Sequence, residues 1–313
     1  MVMKDSHTPS GRAIRPVPWK IWIKTSRPMT LTATVSPLLV GTALAAREGT
    51  FHLVTFLATF FSCLFLQIGT NYFNEYFDYR YGLDHAGSLG AMTVIFRNEM
   101  TANQVLIGGI ISFSIAALLG IMLIIFLVGP AIIAFGLAGM LIAYFYSAKP
   151  FKLASRGLGD VLVYIAMGFL MTWGAYYVQI PRWSWSAFAA SVPVGSLVTA
   201  ILNMNNVRDY QDDLAVKKKT LPVRFGLKFG QFFHAILLIG SYVATTIFAL
   251  VGLLPLTVLA VWLTFPLAFI NVRSVLTASE RRTFVLWIKQ TSLLHLMFGV
   301  CISLALFILM RQK

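Results

Sequence analysis

Long apolar runs dominate the chain and restrict its fold more than any other feature. Nine of them are long enough to cross a bilayer as a helix, which takes roughly 17 residues or more. They lie at 30–47, 51–79, 103–127, 130–147, 158–179, 186–208, 231–252, 254–271 and 290–310. Membrane β-barrels instead alternate apolar and polar residues in segments of about 10 residues. We therefore expect an all-α polytopic membrane protein, with a bundle of about nine transmembrane helices.

The basic residues predict how this bundle is oriented. Placing the N-terminus inside puts 21 of the 25 Lys and Arg residues in cytoplasmic segments, as the positive-inside rule requires. The prediction is an N-in, C-out protein with a cytoplasmic and interfacial segment over 1–28 and a single transmembrane domain over 29–313. The net charge of +14 mostly reflects the membrane topology and an attraction to anionic lipid headgroups and anionic substrates. It is weak evidence for nucleic-acid binding, since no soluble basic domain is visible.

Six of the eleven acidic residues lie in two short segments, each at the end of an apolar run that is predicted to end at the cytoplasmic face. The first segment is NYFNEYFDYRYGLD, residues 71–84, and the second is NMNNVRDYQDDLAVKKKT, residues 203–220. Their acids are Glu75, Asp78 and Asp84 in the first segment and Asp209, Asp212 and Asp213 in the second. Because both segments lie on one side of the membrane, the two clusters can meet.

Within both segments Asn and Asp recur at helical spacing, which aligns them on one helix face. They are Asn71, Asn74 and Asp78 in the first segment and Asn205, Asp209 and Asp213 in the second. The pattern Asn-x-x-x-Asp occurs twice, about 130 residues apart. This repeat predicts two pseudo-repeated halves, 29–157 and 158–313.

Carboxylates that converge at the mouth of a helical bundle are typical ligands of Mg²⁺, which completes its shell with waters and substrate phosphates. Basic residues lie close by in sequence, at Lys149, Lys152, Arg156, Arg208, Lys217, Lys218 and Lys219. Carboxylates for a metal and cations for phosphoryl oxygens together predict a diphosphate site. An alternative for the lysines at 217–219 is simple snorkelling at a helix end.

These motifs carry a family resemblance over about residues 20–310. NEYFDYRYGLD resembles the first aspartate-rich motif of the UbiA superfamily of membrane-embedded prenyltransferases. NNVRDYQDDLAVKKKTLPVRFG is similar to the second motif, in the form found in 1,4-dihydroxy-2-naphthoate polyprenyltransferases of menaquinone biosynthesis. SRPMTL and YSAKPFKLASRGLGD fit the same family. Glu75 departs from the usual Asp, and Lys217 from the usual Gly.

The resemblance implies Mg²⁺-dependent transfer of a polyprenyl group from an allylic diphosphate to 1,4-dihydroxy-2-naphthoate, with loss of CO₂ and diphosphate. It implies metal ligands at Glu75, Asp78, Asp84, Asp209 and Asp213, and diphosphate contacts at Asn71, Asn74, Lys149, Lys152, Arg156, Arg208 and Lys218. It implies acceptor contacts at Arg27, Tyr146 and Asn206, and catalytic roles for Asn74, Asp78, Arg208 and Asp209. The implied location is the cell inner membrane, with a cytoplasmic active site.

Three alternatives stay open at this level. The acceptor can instead be 4-hydroxybenzoate, homogentisate or a lipid glyceryl phosphate, although the Asn-Asn-x-Arg-Asp form argues against these. A transporter or channel predicts acids near the membrane midplane on several helices, whereas these acids lie at one face. A non-catalytic family member is the third alternative.

Overall fold

The computed structural model describes residues 16–83 and 93–308, and this part of the chain is helical, with no β-strand. The α-helices are α1 (Trp19–Thr25), α2 (Thr32–Arg47), α3 (Leu53–Arg80), α4 (Ala102–Met122), α5 (Ile133–Phe145), α6 (Gly159–Val163), α7 (Met171–Tyr177), α8 (Trp185–Arg208), α9 (Tyr210–Ala215), α10 (Leu221–Phe225), α11 (Leu227–Leu250), α12 (Phe265–Thr277) and α13 (Arg281–Ile308). The predicted all-α class is confirmed.

Eight helical stretches of the described residues are long and apolar enough to cross a membrane. They are Pro28–Arg47, Leu53–Arg80, Ala102–Val128, Gly159–Tyr177, Trp185–Arg208, Leu227–Leu250, Leu256–Thr277 and Arg281–Phe307. A shorter apolar stretch, Pro130–Phe145, corresponds to the run predicted at 130–147. The count of nine spans, the N-in orientation and the two repeated halves stay predictions.

The last helix differs from its predicted bounds. α13 begins at Arg281 rather than at 290, so its first turns carry Arg281, Arg282 and Lys289. Hydropathy marks only the part of a helix that lies in hydrocarbon, whereas a helix can continue into polar surroundings where charged side chains are solvated. This extension brings Arg281 to the region of the acidic segments.

The predicted interfacial segment contains α1. Trp19 is 67% exposed, whereas Thr25 at the other end of the helix is buried. Tyr72 of α3 donates a hydrogen bond of 2.8 Å to the carbonyl oxygen of Trp22. α1 is therefore fastened to the end of α3 that carries the first acidic segment.

α8 is the central helix of the bundle. In its most apolar stretch of 18 residues, 78% of the residues are buried inside the protein, whereas the corresponding share for α3 is 22%. Its neighbours contribute the largest fully buried side chains of the core, among them Leu238, Tyr242 and Phe298. The second acidic segment therefore extends from the most deeply buried of these membrane-spanning stretches.

A π-helical segment, Tyr164–Leu170, connects α6 to α7 and packs directly on α8. A methyl group at Gly168 would lie 2.4 Å from the Cα atom of Gly195, so the two backbones touch and leave no room for a side chain. π-Helical turns of this kind are rare and occur frequently at functional sites.

Candidate active site

A cavity of about 250 Å³ lies where the two acidic segments come together. Asn74 and Asp78 line it from the last turns of α3. Asn205 lines it from the end of α8, while Asp209 and Asp213 line it from the start of α9 and from α9 itself. The residues aligned by helical spacing in each segment therefore lie around one cavity.

Most of the residues with predicted roles line this cavity. They are Arg27, Asn71, Asn74, Asp78, Tyr146, Asn206, Arg208, Asp209, Asp213 and Lys218. Four predicted residues are not among its lining: Glu75, Lys149, Lys152 and Arg156. The predicted ligand Asp84 lies outside the described residues.

Two asparagines tie the first segment to its surroundings. Asn74 Oδ1 accepts a hydrogen bond of 2.7 Å from Ser147 Oγ, just after α5. Asn71 Nδ2 donates to the carbonyl oxygen of Ser26 at 2.8 Å and to Thr30 Oγ1 at 3.2 Å. This end of α3 is thus held on both sides, which fixes the position of Asp78.

Glu75 is buried next to the cavity and contacts protein groups. Its Oε1 accepts a hydrogen bond of 3.0 Å from the backbone nitrogen of Val94, and its Oε2 lies 3.8 Å from Arg27 Nη2. In this arrangement the carboxylate anchors the chain at Val94 and faces a cation that lines the cavity. Its predicted role as a metal ligand stays a prediction.

Arginines hold the carboxylates at the start of the second segment. Arg208 donates Nε to Asp209 Oδ1 at 2.8 Å and Nη2 to Asp209 Oδ2 at 2.6 Å. Arg281 of α13 lies 3.7 Å from Asp209 and pairs with both carboxylate oxygens of Asp212. Both carboxylates are therefore oriented by charge-assisted hydrogen bonds or ion pairs.

Lys218 supplies the cation for the next carboxylate of the segment. Its Nζ lies 3.4 Å from Asp213 Oδ1, and Thr220 Oγ1 donates to Asp213 Oδ2 at 3.3 Å. Burial raises the pKa of Asp213 to about 6, although the charge of Lys218 opposes this. Burial alone would lower the pKa of Lys218, but Asp78 and Asp213 outweigh it and raise that pKa above its usual range. Lys218 is therefore charged and interacts with both acidic segments.

The loop between α5 and α6 contributes backbone and small side chains to the cavity, including Ser155 and Gly157. Two of its predicted phosphate-binding residues contact Tyr81 instead: Lys149 Nζ and Lys152 Nζ lie 5.2 and 3.3 Å from the ring centroid. Burial and the neighbouring Lys149 lower the pKa of Lys152. The diphosphate role of this loop stays a prediction.

The residues predicted to contact the acceptor all line the cavity. Arg27 precedes α2 and has a left-handed backbone, with a φ of 54°, which turns the chain before Pro28. Asn206 Nδ2 donates to Asp160 Oδ2 at 3.4 Å. Tyr146 comes directly after α5. These three side chains supply one cation and neutral hydrogen-bonding groups, a combination that suits an anionic aromatic molecule.

Several polar residues around the cavity had no predicted role: Gln67, Ser147, Asp212 and Thr220 line it, and Arg281 contacts Asp209. A signal existed for Gln67, because it lies four residues before Asn71 and extends the same polar face of α3. Arg281 had no such signal, since it is distant in sequence and reaches the site only through helix packing.

The donor set of the cavity suits a hard divalent cation. Asn74, Asp78, Asp209 and Asp213 all offer oxygen atoms, as Mg²⁺ prefers. Among the described residues, no group of three or more Asp, Glu, His and Cys side chains stands close enough to enclose an ion. Mg²⁺ that binds together with phosphates usually takes ligands from the substrate and from water as well as from one or two carboxylates.

An apolar cavity of about 340 Å³ adjoins the polar one. Both are lined by the same five residues at their junction: Cys63, Leu66, Gly139, Ala166 and Met171. The rest of its wall is mostly aliphatic and comes largely from α3, α4, α5 and α7, with Thr59, Ser62 and Phe135 as its exceptions. A molecule with a polar head and a long hydrocarbon tail matches this combined shape.

Comparison with known proteins agrees with this chemistry. The sequence matches the UbiA prenyltransferase family over residues 34–293. It is 31% identical to the 1,4-dihydroxy-2-naphthoate octaprenyltransferase of Bacillus subtilis over 308 residues, which cover 96% of this chain and 95% of that protein. It is 28% identical to the enzyme of the same name from Haemophilus influenzae over 302 residues, covering 92% and 96%.

The fold has a solved counterpart in a UbiA homolog from Archaeoglobus fulgidus bound to GPP and Mg²⁺. The TM-score is 0.60 at 15% identity, and the alignment covers 90% of this chain and 99% of that chain. This likeness establishes the common fold, while the sequence match extends over most of the chain. The chain belongs to the UbiA prenyltransferase family and is an integral-membrane prenyltransferase.

Proposed function

We propose that this prenyltransferase transfers a polyprenyl group from an allylic polyprenyl diphosphate to 1,4-dihydroxy-2-naphthoate. The products are demethylmenaquinol, CO₂ and diphosphate. One observation carries the proposal: the polar cavity lined by both Asn- and Asp-containing segments continues into an apolar cavity through shared lining residues.

The diphosphate of the donor would occupy the polar cavity. Arg208 and Lys218 line it and carry positive charge toward the phosphoryl oxygens, whose negative charge grows as the C–O bond of the donor breaks. Asp78, Asp209 and Asp213, with Asn74, would hold Mg²⁺, which when bound neutralises diphosphate charge and makes it a better leaving group.

The prenyl tail would occupy the apolar cavity. The fit of the hydrocarbon tail against this aliphatic wall aligns the reactive allylic carbon next to the polar cavity. The aliphatic wall also excludes water, which would otherwise capture the allylic cation and release a prenyl alcohol.

The acceptor would lie where Arg27, Tyr146 and Asn206 line the cavity. The ring carbon that carries the carboxylate forms a bond to the allylic carbon, while the diphosphate leaves with the electrons of the C–O bond. The C–C bond between the ring and the carboxylate then breaks and CO₂ departs. The electron pair of that broken bond stays with the ring and restores its aromaticity. Before the reaction, the carboxylate pairs with the Arg27 guanidinium.

The naphthoate acceptor is supported by the two relatives from Bacillus subtilis and Haemophilus influenzae, both named 1,4-dihydroxy-2-naphthoate octaprenyltransferase. A divalent cation is supported by the Archaeoglobus fulgidus structure, which holds GPP and Mg²⁺. The positive-inside pattern supports a cytoplasmic active site in the cell inner membrane.

The test is a prenylation assay on the purified protein in liposomes, with labelled polyprenyl diphosphate and a panel of acceptors. We expect a demethylmenaquinol product and CO₂ release with 1,4-dihydroxy-2-naphthoate, both lost in EDTA. Asp78→Asn and Asp209→Asn should each lower kcat/KM by about 100-fold or more, because each removes a charged oxygen ligand.

A variant outside the cavity serves as the matched control. Glu99→Gln breaks an ion pair with Lys24 at a partly exposed position, and it should retain activity within about twofold. Transfer to 4-hydroxybenzoate, homogentisate or a lipid glyceryl phosphate alone would retain the reaction class and refute the proposed acceptor. Activity that survives EDTA would refute the metal requirement.

A further inference from the structure

Asp160 is a buried acid that lines the active-site cavity and has no part in the steps proposed above. It lies in the first turn of α6, at the start of the apolar stretch Gly159–Tyr177, and is only 4% exposed. Ionisable side chains within apolar membrane stretches are costly, and they commonly mark functional sites. The position of Asp160 therefore calls for a functional explanation.

The carboxylate of Asp160 has unused capacity to accept hydrogen bonds. Its Oδ2 accepts one long hydrogen bond of 3.4 Å from Asn206 Nδ2. Its Oδ1 is buried and, within the described part of the chain, has no hydrogen-bond partner. A carboxylate can accept about four hydrogen bonds, and rotation about its terminal torsion presents either oxygen to the cavity. Because an unsatisfied buried oxygen is costly, a hydrogen-bond donor on the ligand of this cavity would complete the carboxylate.

The neighbours of Asp160 are the residues assigned to the acceptor. Asn206, at the end of α8, contacts the carboxylate directly. The hydroxyl of Tyr146 lies beside the backbone of the preceding residue, since a methyl group at Gly159 would be 3.3 Å from it. Both side chains line the cavity together with Asp160. Asp160 therefore lies next to the proposed acceptor position, and it belongs to neither acidic segment.

We infer that Asp160 is a general base that takes the proton from the acceptor hydroxyl next to the reacting ring carbon. This role rests on the proposed function, because 1,4-dihydroxy-2-naphthoate carries such a hydroxyl. An aromatic hydroxyl ordinarily has a pKa of about 10, as in tyrosine, and keeps its proton at pH 7. Its oxygen donates more electron density to the ring once the proton is transferred, so a base next to it makes the ring a stronger nucleophile.

The proton is borrowed and returned in this mechanism. As the O–H bond breaks, the proton goes to Asp160 and the oxygen forms a double bond to its ring carbon. The π electrons of the adjacent ring bond form the new bond to the allylic carbon, and diphosphate leaves with the electrons of the C–O bond. When CO₂ departs, the electron pair of the broken C–C bond restores the ring, and the oxygen takes the proton back from Asp160.

Replacement of Asp160 by asparagine tests this role. Asparagine has nearly the same size and still accepts a hydrogen bond from Asn206, but it cannot take up a proton. With 1,4-dihydroxy-2-naphthoate in liposomes, kcat should fall about 100-fold or more, as is typical when a general base is lost. The KM for the prenyl diphosphate and the Mg²⁺ concentration for half-maximal rate should stay within about threefold. Glu280→Gln, which changes an exposed carboxylate to an amide, is the matched control and should match the parent protein.

Two further measurements separate proton transfer from a structural role. An acceptor with four fluorines on its second ring has a more acidic hydroxyl and depends less on a base, so Asp160→Asn should lose about fivefold less kcat with it. The thermal unfolding temperature of Asp160→Asn should equal or exceed that of the parent, because the variant buries no poorly paired carboxylate. If Asp160→Asn does not fold, Asp160→Ser is compared on the same two acceptors.

Three results would overturn the inference. They are a kcat within about threefold of the parent, equal losses with both acceptors, and a raised Mg²⁺ requirement, which would make Asp160 a metal ligand instead. A parent protein that prenylates neither naphthoate would refute the proposed function and this role with it. Prenylation by the parent and by Asp160→Asn at equal rates would refute the role of Asp160 alone.

Discussion

Replacement of Lys218 by methionine tests the electrostatics of the site most directly. Methionine keeps the length and much of the apolar stem of lysine but removes the ammonium group, which lies 3.4 Å from Asp213 Oδ1. At that distance and an effective dielectric constant of about 20, the attraction between the two charges is about 5 kcal/mol. Part of this attraction compensates for burial of the ammonium, so the net effect is smaller.

The effect on kcat/KM comes from the contact that the ammonium would make to a phosphoryl oxygen, because the pair with Asp213 is present in the free enzyme too. Loss of such a charge-assisted contact, about 2 to 3 kcal/mol of transition-state stabilisation, corresponds to a decrease of about 30- to 150-fold in kcat/KM for the polyprenyl diphosphate. The KM for the acceptor should change little, since the carboxylate of the acceptor is assigned to Arg27. Lys219→Met is the matched control, because Lys219 is adjacent and exposed. Steady-state kinetics in liposomes give kcat/KM for both variants, and thermal unfolding verifies that both are folded. A decrease below about threefold, or an equal decrease in Lys219→Met, would refute the reasoning.

Further expectations concern the pH dependence of the reaction, the prenyl chain length of the donor and the packing of the helices. Because burial raises the pKa of Asp213 to about 6, this carboxyl becomes protonated as the pH falls through 6. Prenyl transfer at subsaturating Mg²⁺ should therefore decline from pH 7 to about pH 5, and a tenfold increase in Mg²⁺ should move the midpoint down by up to about one pH unit. A pH midpoint that stays the same at both Mg²⁺ concentrations would contradict this expectation. Met171→Trp, at the junction of the two cavities, should lower kcat/KM for long prenyl donors about tenfold more than for geranyl diphosphate; equal effects in a donor series would refute it. Gly168→Val should lower the thermal unfolding temperature in detergent, since even a methyl group would lie 2.4 Å from Gly195 Cα. Gly240→Val, at an open position, is its control.

Most of the fold could be predicted from the apolar runs. The bilayer requires every backbone group to be bonded internally, so a long apolar run in a membrane is a helix. The all-α class and the membrane location were predicted in this way and are confirmed. The family, which was predicted from the resemblance of the two acidic motifs, is also confirmed. The bounds of the short stretch Pro130–Phe145 and the early start of α13 were harder to predict from the sequence. Helix ends are determined by packing and capping rather than by hydropathy.

The central part of the site was predictable because periodicity fixes which side chains share a helix face. Asn74, Asp78 and Asp209 line one cavity, in keeping with their spacing within each segment. Spacing says less about loops. Lys149 and Lys152 lie over the ring of Tyr81 rather than in the cavity lining, because the direction of a loop side chain depends on its tertiary contacts.

The sequence by itself determined that the chain crosses a membrane as helices, which family it resembles and which acidic segments face the same side. These properties depend on composition and on spacing within single helices. Only the tertiary structure decided that Arg281 of the last helix orients Asp212, that Glu75 contacts the backbone of Val94, and that the polar cavity continues into an apolar one. Each of these depends on contacts between residues distant in the chain, and such contacts form only when the helices pack.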